Sequence, residues 1–296
     1  MTDRASGLLL GLAIGDALGM PIDGLSHQNV RTYYKGIKGY RADEKRGELE
    51  AGQWTAHTQN ARALAAALTE YPGDLTRAQV VWRQRRGVSL RRPTDRPYAT
   101  GDAAACAAPL GAWWARTKAP LAEAIAWTRG LLMEVDVRPD SLVAAVAIAD
   151  AARRALGSDP DALDGAAFMH ATADAARAAE AETDASGAVS SRIDLLAGRL
   201  FEFPLDLHDL AGGNRPAADE AVLFALAMAA RGPSLAEASL LAAINVGGAA
   251  AQIGAVTGAL LGAFNSAGAF PEEWREGIEA SGDIAAEGDR LAEIAS

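Results

Sequence analysis

Residues 245–262 read NVGGAAAQIGAVTGALLG, a helix-like run in which glycine returns at every fourth position. Residues 7–24, GLLLGLAIGDALGMPIDG, have the same pattern. Positions four apart lie on nearly the same face of an α-helix, and each internal glycine costs up to about 1 kcal/mol relative to alanine. A face without side chains recovers that free energy when another backbone packs closely against it. We therefore expect two central, buried helices in contact with each other; the alternative is a pair of independent buried helices.

The rest of the 296-residue chain also has helical periodicity, and runs of alternating β-branched residues are nearly absent. Breaks rich in proline and glycine are spread evenly, without a long linker. These patterns predict an all-α fold, with a single compact multi-helix domain over residues 1–296 and roughly a dozen helices. Residues 200–215 are the least regular and are expected to form a surface loop. The clearest helical segments are 61–68, 121–132, 142–156, 165–181 and 220–230.

Composition excludes several classes of partner. The net charge of −10 argues against nucleic-acid binding. Cys106 is the only cysteine, so an intramolecular disulfide and a cysteine-rich zinc site are excluded. This low cysteine content is typical of a cytoplasmic protein. No run of eighteen residues is purely apolar, so no membrane-spanning segment is predicted. Residues 83–96 are basic against this trend and form either a solvated loop or a rim that attracts phosphates.

Polar groups at the ends of the glycine-rich segments are the first candidates for a site. Asp16 lies inside an apolar run, and Asp23 follows it. A buried carboxylate is costly unless it is paired, so Asp16 either caps a neighbouring helix or contacts a ligand. Asp23 is either a turn residue or a site residue. Gly247 and Gly248 precede a predicted helix, where free N–H groups favour anions, although a glycine pair can also be a simple turn.

Four segments, in this order, resemble the ADP-ribosylglycohydrolase family: GLLLGLAIGDALGMPIDG, GQWTAHTQNARALAAAL, GDAAACAAPLG, and NVGGAAAQIGAVTGALLGAF followed by FPEEW. The resemblance extends from residue 7 to about residue 275. It implies an all-α protein that cleaves the glycosidic bond between ADP-ribose and a protein side chain. It also implies a pair of divalent metal ions.

The chain departs from the family where the metal ligands are expected. Where the family has Thr-Asp-Asp-Thr after a tryptophan, residues 54–58 read Trp-Thr-Ala-His-Thr. Where it has Gly-Gly-Asp-x-Asp-Thr, residues 247–252 read Gly-Gly-Ala-Ala-Ala-Gln. Hard divalent ions need anionic oxygen ligands, and a lone histidine, His57, does not form a site. The sequence therefore predicts that the binuclear magnesium or manganese centre is lost and that the protein uses no cofactor.

The resemblance also assigns roles to the polar residues that remain. Asp23 stands where relatives usually carry a glutamate, and is the candidate general base or electrostatic stabiliser. His57 or Asp102 would position the ribose or protonate the leaving group. The phosphates of the substrate would lie near Gly247–Gly248 and the loop around Thr100–Gly101. The candidate substrate-binding residues are Asp16, Thr55, Gln59, Thr100, Gly101, Asp136, Gly247, Gly248 and Gln252.

Two functions remain open on this basis. The first is metal-independent hydrolysis of an N-ribosyl bond in an ADP-ribose-like or smaller ribosyl molecule. The second is a catalytically inactive pseudo-glycohydrolase that binds ADP-ribose or a related nucleotide, or serves as a scaffold. Carboxylates that converge on a ribose-sized pocket would favour the enzyme, and a cleft filled by apolar side chains would favour the pseudoenzyme.

Overall fold

The computed structural model describes residues 2–44, 47–86, 102–212 and 218–294, and these residues contain sixteen α-helices and no strand. The all-α prediction is confirmed. The first eight helices are α1 (Thr2–Gly19), α2 (His27–Asn29), α3 (Ala56–Glu70), α4 (Leu75–Arg86), α5 (Asp102–Ala105), α6 (Ala108–Thr117), α7 (Leu121–Leu132) and α8 (Pro139–Gly157). The others are α9 (Gly165–Ala181), α10 (Ala188–Ala197), α11 (Pro204–Ala211), α12 (Ala218–Arg231), α13 (Ala236–Ile244), α14 (Ala250–Asn265), α15 (Glu272–Gly277) and α16 (Ser281–Ala292).

The two glycine-rich helices, α1 and α14, form the antiparallel centre of the fold. Each glycine of one faces a small residue of the other, so that a Cβ added at any of four α1 positions would lie 2.6 Å or less from a backbone oxygen of α14. The facing pairs are Gly7 with Gly262, Gly11 with Gly258, Gly15 with Gly254 and Gly19 with Ala250. The prediction of two central helices in backbone contact is confirmed.

The other helices surround this pair. α16 packs on α1, and α12, α13 and α8 pack on α14. α8 in turn carries α6, α7 and α9, while α3 packs between α4, α6 and α16. The buried apolar side chains form one cluster that runs from Leu8 to Ile294. One described helical stretch, Asp3–Ile22, is long and apolar enough to cross a bilayer, and its most apolar eighteen residues are all buried inside the protein.

The structure differs from the sequence prediction in two details. The segment expected to be an irregular surface loop contains α11, which begins with Pro204 in its first turn. Proline has no N–H to lose there, so it starts a helix as readily as it ends one. The estimate of about a dozen helices was too low because α2, α5 and α15 have six residues or fewer, too short to show a periodic pattern.

Candidate functional site

Three helix ends meet at the positions that the family motifs mark. The C-terminal part of α1 carries Asp16 and leads into a 3₁₀ turn, Met20–Ile22, that ends at Asp23. The N-terminus of α3 begins after Thr55, and the N-terminus of α14 begins after Ala249. The short helix α5 packs against α3, α8 and α14. Residues that are far apart in sequence are brought together in this way.

Asp16 is a fully buried carboxylate that caps α3. One of its oxygens accepts hydrogen bonds from the N–H groups of Thr55 (2.9 Å) and Thr58 (3.1 Å) and from the Thr58 hydroxyl (2.6 Å), and the other accepts one from the Thr55 hydroxyl (2.7 Å). Both threonines are buried as well. The capping alternative therefore describes Asp16 in this structure, and its hydrogen-bonding capacity is spent on α3.

Asp23 caps α14 as Asp16 caps α3. Only 3% of the residue is exposed, and its Oδ1 accepts the N–H of Ala251 at 3.2 Å. A carboxylate at a helix N-terminus is stabilised by the unpaired N–H groups and the helix dipole. Asp23 is therefore a buried residue that contacts the N-terminus of α14, and it is not an exposed turn aspartate.

The glycine pair does not offer N–H groups to an anion. Gly247 and Gly248 have φ values of +82° and +67°, a left-handed conformation that favours glycine. The Gly247 N–H donates to the Ile244 carbonyl (3.0 Å), and the Gly248 N–H donates to the Leu25 carbonyl (2.7 Å). Phosphate binding by these two N–H groups, as expected from the sequence, would require both hydrogen bonds to break.

His57 and Asp102 form a side-chain pair beside these caps. Nδ1 of His57 lies 3.5 Å from Oδ1 of Asp102, within ion-pair range, but the geometry is not that of a hydrogen bond, and Nδ1 has no hydrogen-bond partner among the described residues. The His57 side chain is 11% exposed and that of Asp102 is 37% exposed. Burial, together with the Asp102 charge, raises the pKa of the neighbouring Cys106 thiol to about 12, so Cys106 is not a thiolate nucleophile at neutral pH.

The other predicted site residues occupy varied positions. Gln252 is buried on the first turn of α14, and Gln59 is half-buried on α3. Asp136 precedes α8, and burial raises its pKa, but hydrogen bonds from Arg138 outweigh burial and hold the pKa below its usual value. Thr100 and Gly101 lie outside the described residues, as does most of the basic stretch.

The two described exposed arginines of the basic stretch have partners. Arg83 pairs with Glu134 (2.6 Å) and Arg85 with Glu70 (3.2 Å), so both are accounted for by surface ion pairs. A groove of about 700 Å³ opens elsewhere, between α7, the start of α8 and the end of α9. Its described lining contains none of the predicted site residues.

Comparison with known proteins decides the family. The family model described as ADP-ribosylglycohydrolase matches residues 1–296. The chain belongs to the ADP-ribosylglycohydrolase family. This confirms the resemblance that the four sequence segments indicated.

Two individual relatives, one of them a solved structure, are similar to this chain. A solved structure described as an "ADP-ribosylglycohydrolase-related protein complex" is similar over 100% of this chain and 99% of its own, with 23% identity and a TM-score of 0.64. A protein of Archaeoglobus fulgidus, named "Uncharacterized protein", is 40% identical over 70 residues, 24% of this chain. The chain spans 23% of the length of that relative.

The residues at the motif positions of this member of the ADP-ribosylglycohydrolase family do not fit a pair of divalent metal ions. Ala56, Ala249 and Ala251 have no side-chain oxygen. The Asp16 carboxylate is saturated by α3, and Asp23 already accepts an N–H of α14. Within the described ranges, no group of three His, Cys, Asp or Glu side chains could hold a metal. Magnesium is usually held through one or two carboxylates, and the two buried carboxylates at these motif positions are already engaged by helices.

We expect titration calorimetry with MgCl₂ and MnCl₂ to show no micromolar site. A variant carrying A56D, H57D, A249D and A251D should bind Mn²⁺ measurably, because the backbone that holds these positions is the family's. Two micromolar sites in the unaltered protein would contradict the prediction.

Proposed function

We propose that this ADP-ribosylglycohydrolase-like protein hydrolyses an N-ribosyl bond of an ADP-ribose-like small molecule without a metal pair. The observation that carries the proposal is the His57–Asp102 pair at the family's motif position. A buried imidazole nitrogen without a hydrogen-bond partner, 3.5 Å from a partly exposed carboxylate, is an arrangement that general acid–base catalysis can use. Its position at the N-terminus of α3 is where the family's first metal motif lies.

The roles follow from what each group can reach. Cleavage breaks the bond between ribose C1 and the leaving nitrogen, and protonated His57 gives its proton to that nitrogen. The ring becomes oxocarbenium-like, water adds to C1, and the water proton passes to Asp102, which is exposed enough to meet solvent. Asp23, whose Oδ1 accepts the N–H of Ala251, stabilises the positive charge on the ring from a distance. In this scheme Asp23 is a stabiliser, since the α14 N-terminus already uses its carboxylate.

A substrate screen tests the proposal. The candidates are ADP-ribosylated arginine and serine peptides, ADP-ribosyl nucleosides and nicotinamide nucleotides, each with and without EDTA. We expect hydrolysis of at least one N-ribosyl compound that EDTA does not abolish.

Substitution of the pair tests its role. H57Q and D102N should each lower kcat about a hundredfold to ten-thousandfold, as loss of a general acid or base does. D23N should fold normally and reduce the rate less than D102N does. D206N, at an exposed position of α11, is the matched control and should leave the rate unchanged. A D102N protein with full activity would remove Asp102 from the mechanism.

A second candidate function is favoured by a different observation. Asp16 and Asp23, the two buried carboxylates at the motif positions, both serve as helix caps. A protein that keeps carboxylates for folding alone fits a pseudo-glycohydrolase that binds ADP-ribose. If no compound in the screen is hydrolysed and ADP-ribose nevertheless raises the Tm, this second function replaces the first.

A further inference from the structure

Residues 24–42 concentrate positive charge on a protein that is otherwise acidic. They contain four lysines and arginines and no aspartate or glutamate. The four cations are Arg31, Lys35, Lys38 and Arg41. The rest of the chain therefore carries a formal charge of −14 (−10 minus 4). A charge reversal of this size changes the sign of the surface potential locally.

The four cations are free to meet a partner. All four residues are exposed, and none of their side chains has an ion pair or a hydrogen bond within the described ranges. Tyr33, which is 74% exposed, places an aromatic ring between the first two of them in sequence. We call Arg31, Tyr33, Lys35, Lys38 and Arg41 the 31–41 basic surface.

The core holds the backbone of this surface in place. A π-helical turn, Val30–Tyr34, leads into Lys35, whose φ of +57° is uncommon for a residue with a side chain. Asn245 then fixes Ile37 through both of its backbone groups. The Asn245 Oδ1 accepts the Ile37 N–H (2.7 Å), and the Asn245 Nδ2 donates to the Ile37 carbonyl (3.0 Å). Because this backbone is ordered before a partner arrives, binding pays little to order it.

The same segment is tied to the candidate site. Its first residue, Gly24, donates its N–H to the Gly248 carbonyl (2.7 Å), and Asn245 ends α13 just before the glycine pair. Asp23 immediately precedes the segment. A partner on the 31–41 basic surface would therefore lie on the side of the molecule where α14 begins.

Charge complementarity identifies the partner. A nucleic acid or an anionic membrane would also face the acidic remainder of the surface, and it would gain from only about four neutralised phosphates. An acidic peptide matches the extent of the surface, because residues 31–41 span at most about 36 Å even when fully extended. Its carboxylates can meet the four cations, and an apolar side chain can pack on Tyr33. We propose that the 31–41 basic surface docks an acidic segment of a partner protein.

Fluorescence anisotropy of the full chain with a labelled peptide tests the inference. The probe is a twelve-residue peptide of aspartate and glutamate with one central leucine, and its counterpart has asparagine and glutamine at every acidic position. We expect only the acidic peptide to bind. Its affinity should fall as NaCl is raised from about 50 to about 300 mM, since salt screens exposed charges over about 10 Å at 0.1 M.

Charge reversal locates the binding surface. The double variant K35E/K38E should bind the acidic peptide at least about tenfold more weakly, because two attractions become repulsions, whereas K35R/K38R should bind it as the unaltered protein does. K118E is the matched control, since Lys118 is also exposed and has a φ of +54°. It should leave the affinity unchanged. The Tm of all three variants should equal that of the unaltered protein.

Three results would overturn the inference. The first is no binding of the acidic peptide, or equal binding by the unaltered protein and K35E/K38E. The second is equal affinity for a twelve-nucleotide RNA or for phosphatidylserine vesicles, which would mean that any polyanion is bound. The third is a dimer in sedimentation that K35E/K38E dissociates, which would make a second copy of this chain the occupant. Failure of the substrate screen would reject the proposed catalysis and leave this inference standing.

Discussion

Substitution of Gly11 by leucine should prevent the protein from folding. A Cβ at this position would overlap the carbonyl of Gly258 and lie 2.9 Å from the Phe270 ring. Neither helix can move aside, since α1 is packed against α16 and α14 against α8, α12 and α13. Overpacking a core usually costs about 1–3 kcal/mol, and a clash with backbone falls at or above the upper end of that range. We expect G11L to be insoluble or without a cooperative thermal transition.

The smaller substitution G11A gives a measurable value if the leucine variant cannot be purified. It should lower the free energy of unfolding in urea by about 3 kcal/mol or more. G157A is the control: Gly157 ends α8 with nothing within 4 Å of an added Cβ, so stability should be unchanged or slightly higher. If G11L melts at the temperature of the unaltered protein, α1 and α14 are not in backbone contact.

Substitution of Asp16 by alanine should destabilise the protein by about 3 kcal/mol or more, since several buried donors lose their acceptor at about 1–3 kcal/mol each. The carboxylate accepts four hydrogen bonds from two buried threonines, and its removal leaves two N–H groups and two hydroxyls unpaired in the core. The N-terminus of α3 would keep only the Thr55 hydroxyl as a side-chain cap, which accepts the His57 N–H at 3.3 Å. Urea unfolding measures the loss in free energy of unfolding. Amide hydrogen exchange at Thr55 and Thr58 should accelerate more than exchange in the rest of α3.

Two variants control for this result. D3A alters an exposed aspartate in the first turn of the same helix and should cost about 0.3–1 kcal/mol, the contribution of a charge near a helix end. D16N keeps the shape of the side chain, but its amide can accept fewer hydrogen bonds than the carboxylate. Its loss of stability should lie between those of D3A and D16A. Equal stability of D16A and D3A would mean that the four hydrogen bonds contribute nothing to holding α3.

The all-α fold and its centre could be predicted from the sequence because the evidence for them is local or periodic. Glycine at every fourth position makes a bare helical face, and a bare face is stable only against a second backbone. The predicted segment 165–181 coincides with α9 for a related reason, since its apolar spacing is regular and Asp164 caps its start. Family membership was accessible in the same way, from the order of four segments.

The use of each polar residue was decided by the tertiary structure. In sequence, Asp16 and Asp23 look alike as candidates for ligand contact, yet both are engaged by helices that begin 40 and 227 residues away from them (56 − 16 and 250 − 23). The proximity of His57 to Asp102 depends on how α3 and α5 pack. The sequence by itself determined the helices and the glycine contact between α1 and α14. The packing of those helices determined which polar side chains are caps and which remain available to a ligand. The physical reason is that a hydrogen-bonding group in the core pairs with whichever group the packed helices bring next to it.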